Sequence, residues 1–222
     1  MSLNLTDTIR LTLESEIRQG LFLPGQTIEE KALLDRFSAS RTPVREALQQ
    51  LAAQGLLQIL PRTGAVVPRL SVRELLAQLE LLAELEGACA KFAARRMSEA
   101  ERRALAEALE GCERAAATQD SDTYEAANAR FHDVLYVGGR NPYAVEQIRK
   151  IRMRCRAYVS HRFDLQFRMQ RSVEEHRAIA QAVLAGDAPG AQEATISHIA
   201  IGGRDFAEFV SSIPEDFLAP GD

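Results

Sequence analysis

The run Ser40-Arg41-Thr42-Pro43-Val44-Arg45-Glu46-Ala47-Leu48 decides how the first third of this chain folds. Thr42 followed by Pro43 signals a helix start, because a proline at the first helical position lacks only an N–H that would be unpaired anyway. From there Val44, Leu48 and Leu51 recur at helical spacing with Ala47 and Ala52 beside them, a stripe that faces a core. Arg41, Arg45 and Gln49 follow an i, i+4, i+8 row on the other side. A helix whose first turns present arginine and a long amide suits a DNA major groove, where arginine bonds bidentately to guanine. An ordinary solvated helix face fits these residues equally well, so the flanks have to decide.

Upstream, Thr27-Ile28-Glu29-Glu30 has the form of a capping box opening a helix that carries Ala32, Leu33, Leu34 and Phe37. Ser38-Ala39-Ser40 then makes a short turn into the Arg41 helix, the pattern of a helix-turn-helix. Downstream, Gly55 closes the helix and Leu56–Leu60 alternates weakly as a strand. Pro61-Arg62-Thr63-Gly64 turns, and Ala65-Val66-Val67 returns. A hairpin behind a helix-turn-helix is a wing, with Arg62 and Gly64 at its tip. The expected fold is mainly α: an N-terminal winged helix-turn-helix with a small β-hairpin, then an all-α antiparallel bundle.

The stretch "IEEKALLDRFSASRTPVREALQQLAAQGLLQILPRTGAVV" resembles the DNA-binding domain of GntR-family bacterial transcription regulators, over about residues 5 to 69. Carried over by position, that resemblance places DNA contacts on Lys31, Ser40, Arg41, Thr42, Arg45 and the wing residue Gly64.

Composition is compatible with such a reader. The 222 residues are 46% hydrophobic, enough for one or two real cores. No run approaches the ~18 apolar residues of a membrane span. With no basic, apolar leader at the N-terminus and three scattered cysteines (Cys89, Cys112, Cys155) outside any CxxC, a cytoplasmic protein with reduced thiols and no membrane partner is expected. The formal net charge of −4 is unevenly spread: residues 1–70 hold 8 Lys/Arg against 7 Asp/Glu, and the remainder 19 against 24. A weakly basic reader binds modestly alone, a deficit that pairing two subunits on a two-fold site offsets.

From Ser71 the chain reads as helix throughout, at about 71–96, 98–118, 122–137, 142–165, 168–186 and 189–211. Capping boxes stand at Ser71–Glu74 and Ser98–Glu101, and breaks at Gly138-Gly139, Asn141-Pro142 and Gly186–Pro189. Six helices with short links make an antiparallel bundle. The organisation expected is residues 1–70 as DNA reader and 71–222 as effector-binding and dimerisation domain.

Within the bundle, Asn128 and His132 lie four apart on one helix and project together. His176 begins the apolar stripe Ile179, Ala180, Val183. His198 shares a face with Ala194, Thr195, Ile201 and Gly202. Three of the four histidines thus point inward from three helices, either as packed core residues or as a metal site. Imidazoles suit zinc, nickel or a similar first-row ion. His161, in an arginine-rich stretch, is expected to face solvent.

This half is similar to the FCD-type ligand-binding domain that follows the winged helix in one GntR subfamily, over about residues 72 to 211. The resemblance implies a metal held at the positions of Asn128, His132, His176 and His198, the last two 22 residues apart. Asn128 stands where aspartate is usual, which implies a weaker site, a softer ion or an empty one. Leu82 stands one turn before Glu86, where many relatives carry an arginine for a ligand carboxylate. The resemblance as a whole implies a dimeric, ligand-responsive regulator, a repressor by the commoner family logic. It would bind a short palindromic operator in double-stranded DNA and a small carboxylate effector. Two alternatives stay open at this point: a metal-dependent enzyme domain fused to a DNA reader, and a structural DNA-binding dimer with no ligand.

Overall fold

The computed structural model describes residues 4–159, 166–200 and 209–219. The chain divides into two compact units. One comprises Met1–Leu76, Arg152–Tyr158 and Gly203–Asp222, the other Ala77–Ile151 and Val159–Gly202.

The first unit opens with α1 (Leu5–Arg18), capped by the Asn4 side chain, which accepts the Asp7 N–H. Its buried residues Ile9, Leu13 and Ile17 are spaced four apart, as one face of a helix requires. β1 (Thr27–Glu29), α2 (Glu30–Phe37), α3 (Arg41–Ala53), β2 (Gln58–Leu60) and β3 (Gly64–Val66) follow. The sheet has three antiparallel strands in the order β1-β3-β2, with Ile28 opposite Ala65 and Ile59 opposite Ala65 on the other side. Ile9, Leu13, Ile28, Leu33, Val44, Leu48, Leu51, Leu56 and Ala65 close one core, so the expected packing stripe of α3 is buried.

Two local expectations need correcting. Thr27–Glu29 is a strand rather than a capping box: α2 starts at Glu30, and its N-cap, Glu29, makes no side-chain capping bond. Pairing Ile28 against β3 buries an apolar side chain that a capping role would leave wet. Pro43 is the third residue of α3 rather than the first. This still lies within the first turn, where a missing N–H costs nothing. Gly55 closes that helix in the left-handed conformation, φ 72°.

The remaining helices are α4 (Val72–Arg96), α5 (Glu99–Thr118), α6 (Ser121–Gly139), α7 (Pro142–Val159), α8 (Gln166–Ala185) and α9 (Ala188–Ile199), and they build the second unit except for the start of α4 up to Leu76 and Arg152–Tyr158 of α7, which belong to the first. Both expected capping boxes form, Ser71 with Glu74 and Ser98 with Glu101. Gly138-Gly139, expected as a break, lies inside the last turn of α6, which ends at Arg140 in the left-handed region. These glycines serve packing: a Cβ on Gly138 would fall 2.2 Å from Met97 Cε, and one on Gly139 would fall 2.9 Å from the Cys89 carbonyl. Gly87 does the same between α4 and α9, where a Cβ would lie 2.7 Å from Ile196 Cγ1. That close approach brings the His198 end of α9 toward the Glu86 turn of α4. The helix expected at 189–211 instead stops at Ile199, where Ala200 turns extended, and residues 209–212 are helical again. His161, Ile201 and Gly202 lie outside the described residues, as does the expected end of the 142–165 helix.

Candidate functional site

Two sites emerge, one in each unit. On the first, Lys31, Ser40, Arg41, Thr42, Arg45 and Gln49 are all exposed, so the row read from the sequence is a solvent-facing surface of α3 joined by the start of α2. Ser40 is the N-cap of α3 yet makes no capping bond, and the helix has no acidic residue in its first turn. Its first N–H groups and positive dipole end are therefore open to an anion such as a phosphate. Arg45 is held by Glu30, whose two carboxylate oxygens lie 3.1 and 3.0 Å from Arg45 Nε.

Gly64 behaves differently from the other five carried-over residues. It is buried, and its φ of 147° and close approach to the Ile28 carbonyl make it a backbone device that shapes the wing. The exposed residue at the wing tip is Arg62, itself left-handed with φ 67°.

In the second unit, His132 on α6, His176 on α8 and His198 on α9 are buried and aimed at one point. His198 Nε2 lies 3.2 Å from His176 Nε2 and 3.3 Å from His132 Nε2. The opposite edges of two rings meet carboxylates: His198 Nδ1 is 2.7 Å from Glu175 Oε2, and His132 Nδ1 is 3.1 Å from Glu86 Oε2. A carboxylate there draws the imidazole proton to Nδ1 and leaves Nε2 as a lone pair. Lone pairs that close repel one another unless a cation lies among them. Phe131 stacks on His176 at 4.2 Å between ring centroids and fixes its plane.

Electrostatics keep His198 in the ligand form. Burial depresses the His198 pKa, and Glu175 opposes this without overcoming it, so the ring is neutral near pH 7. Burial alone would raise the Glu175 carboxyl, but the hydrogen bond from His198, the charge of Arg168 and the hydrogen bond from Arg171 outweigh it and hold it below the usual carboxylate range. Asn128, one turn before His132, is buried with its Oδ1 lacking any hydrogen-bond partner. Orphaned buried carbonyls are rare in folded proteins, and one on α6 a turn before His132 suits an oxygen donor. Two nitrogens on one tetrahedral zinc, each about 2.0–2.1 Å from it, stand about 3.3–3.4 Å apart, close to the separations seen. The donor set fits a first-row metal.

The family described as "Bacterial regulatory proteins, gntR family" matches residues 5–67, and that described as "FCD domain" matches residues 77–200. The chain belongs to the GntR family, with an FCD domain. GntR-family regulators bind DNA and a small-molecule effector. Among the regulator's relatives is the galactonate operon transcriptional repressor of Escherichia coli (strain K12), 27% identical over 94% of this chain and 99% of that one. Another is the HTH-type transcriptional repressor GlaR of the same strain, 28% identical over 84% and 89% of the two chains. In fold, the regulator is similar to E. coli McbR/YncC, with a TM-score of 0.77 at 22% identity, covering 95% and 99% of the chains.

These relatives are transcription regulators rather than enzymes, and of the readings left open by the sequence they favour a ligand-responsive DNA-binding regulator. FCD domains can bind metals, and the histidine trio lies within the FCD match. Among the described residues no helix is long and apolar enough to cross a membrane.

Sequence reasoning found the three histidines and Asn128 but not what supports them. The sequence reading reaches Glu86 only as a family landmark and assigns no role to Glu175. The available signal was the identity of Glu86 as an acid on a core-facing stripe with Leu79, Leu82, Ala83 and Ala90.

Proposed function

We propose that this regulator is a homodimeric repressor whose FCD domain holds a divalent transition metal, zinc or nickel, on His132, His176 and His198, with Asn128 as a weak oxygen donor. The effector is a small organic acid, of which a sugar acid is the first candidate because the galactonate operon repressor is among the relatives. Residues 1–70 form the reader, binding a short palindromic operator through Lys31, Ser40, Arg41, Thr42 and Arg45, with Gly64 shaping the wing. Residues 71–222 form the effector-binding and dimerisation domain.

The observation that carries this reading is the meeting of three buried Nε2 atoms backed by two carboxylates. A charge count supports an anionic effector. Glu86 and Glu175 bring two negative charges, and Arg168 and Arg171, both paired with Glu175, bring two positive charges. Neutral imidazole ligands and Asn128 add none, so a divalent ion leaves a net positive site for a ligand carboxylate. An aspartate at 128 would reduce that charge by one. When bound, the metal supplies a Lewis-acidic charge for that carboxylate. Leu82 removes the arginine that relatives place on α4, and Arg168 on α8 supplies the nearby cation instead.

Effector binding lowers operator affinity only by as much as the effector prefers the released conformation, typically about 5–150-fold in such couplings. The test is operator binding by the full chain with zinc or nickel, with and without a panel of sugar acids. Release of DNA by one acid, abolished by chelator, is the expected result. Failure of every acid to stabilise or displace the protein contradicts the proposal.

A further inference from the structure

The cleft between the recognition helix and the wing is lined by Glu30, Arg45, Gln49, Leu60, Arg62 and Gly64, and an acid sits in it. Glu30 is the first residue of α2, and its backbone N–H donates to the Thr63 carbonyl of the wing turn at 3.0 Å. Its carboxylate reaches the other way, bracketing Arg45 Nε with oxygens at 3.1 and 3.0 Å. The Glu30 side chain is mostly covered, 17% exposed, whereas Arg45 above it is 56% exposed. One residue therefore ties the wing backbone to the exposed arginine of α3.

We infer that Glu30 is a positioning residue for sequence readout, an inference resting on the proposal that Arg45 reads a base. Only one edge of the guanidinium is occupied. Both Glu30 oxygens engage Nε, so the Nη pair at the tip stays available. That pair is the edge that bonds guanine O6 and N7 end-on. A free arginine swings easily to the nearest phosphate and binds any sequence. Held at Nε it presents one edge in one direction, and the carboxylate beneath repels any phosphate approaching in place of a base. Glu30 thus lowers affinity for arbitrary DNA while it sharpens preference for the base that Arg45 meets. Its backbone bond to Thr63 also sets this register relative to the wing.

The test uses the full-length chain and a randomised duplex pool. Wild type selects the preferred sequence, and E30Q, R45A and the double variant are then measured on that duplex, on its single-base variants and on a scrambled duplex. The expected result is that E30Q loses about tenfold in discrimination at the one base position where R45A also loses it. Affinity of E30Q for the scrambled duplex should stay equal or rise, because a negative charge has been removed. E30Q should add nothing further to R45A. The melting temperature serves as the structural control, and E30D, which keeps the charge but shortens its reach, is measured beside E30Q should the latter unfold. Wild-type discrimination by E30Q and E30D, or a loss spread evenly over all positions with a lowered melting temperature, overturns the inference. Wild-type discrimination by R45A overturns the docking of Arg45 itself, a separate failure.

Discussion

Gly64 and Ile28 approach so closely that a Cβ on Gly64 would lie 2.1 Å from the Ile28 carbonyl oxygen and 2.8 Å from the Glu30 nitrogen. Gly64 also adopts φ 147°, which side-chain-bearing residues rarely enter. Gly64→Ala should therefore destabilise the winged helix by about 3 kcal/mol, combining backbone strain with displacement of β1. Denaturant unfolding of the full chain, followed alongside DNA binding, measures it. An alanine variant with unchanged stability and lost DNA affinity would instead make Gly64 a direct contact.

Tyr158 links three chain segments within the first unit. Its hydroxyl accepts the Leu70 N–H at 2.9 Å and donates to the Phe217 carbonyl at 3.0 Å, while the Ala219 N–H returns to the Leu70 carbonyl. Tyr158→Phe leaves a buried donor and a part-buried acceptor unpaired and should cost about 1–3 kcal/mol. The unfolding midpoint in urea should fall accordingly. An unshifted midpoint would mean that these contacts do not persist in solution.

The three cysteines are buried and form no disulfide, and burial pushes their thiols up, Cys89 to about 11 and Cys112 and Cys155 to about 12. At pH 8 the thiolate fraction is then about 0.1% or less, and the thiolate is the reacting form. A maleimide or disulfide reagent should label none of them in the native chain and all three in denaturant. Labelling that rises with pH only above about 10 fits the same picture. Rapid labelling of the folded protein at pH 8 would contradict it.

How much of this was legible in the sequence follows from the range of the interactions. The span of α3, the buried stripe Val44/Leu48/Leu51 and the helices α4, α5, α6 and α8 are set by local periodicity and caps, and their limits match within a few residues, whereas the helix expected at 189–211 stops at Ile199. β1 was not legible, because three residues offer too little alternation and their partners lie 35 to 39 residues away in β3. The same pair Gly138-Gly139 that reads locally as a break is a close-packing surface once Met97 and Cys89 are beside it. At the site, helical phase gave the inward direction of the three histidines. The carboxylates behind two of them, and the Glu30–Arg45 pair, depend on which helix packs beside which, and no spacing rule encodes that.

The central claim is that the buried trio holds a metal, and its most direct measurement is elemental analysis of full-length wild type, Asn128→Asp and His176→Ala after dialysis into chelator-free buffer with zinc or nickel. Wild type should retain the ion, Asn128→Asp should retain more because a charged oxygen replaces a neutral one, and His176→Ala should retain none because two nitrogens do not outcompete hydration. Three proteins equally free of metal would contradict the claim and leave His132, His176 and His198 as packed core residues or direct effector contacts.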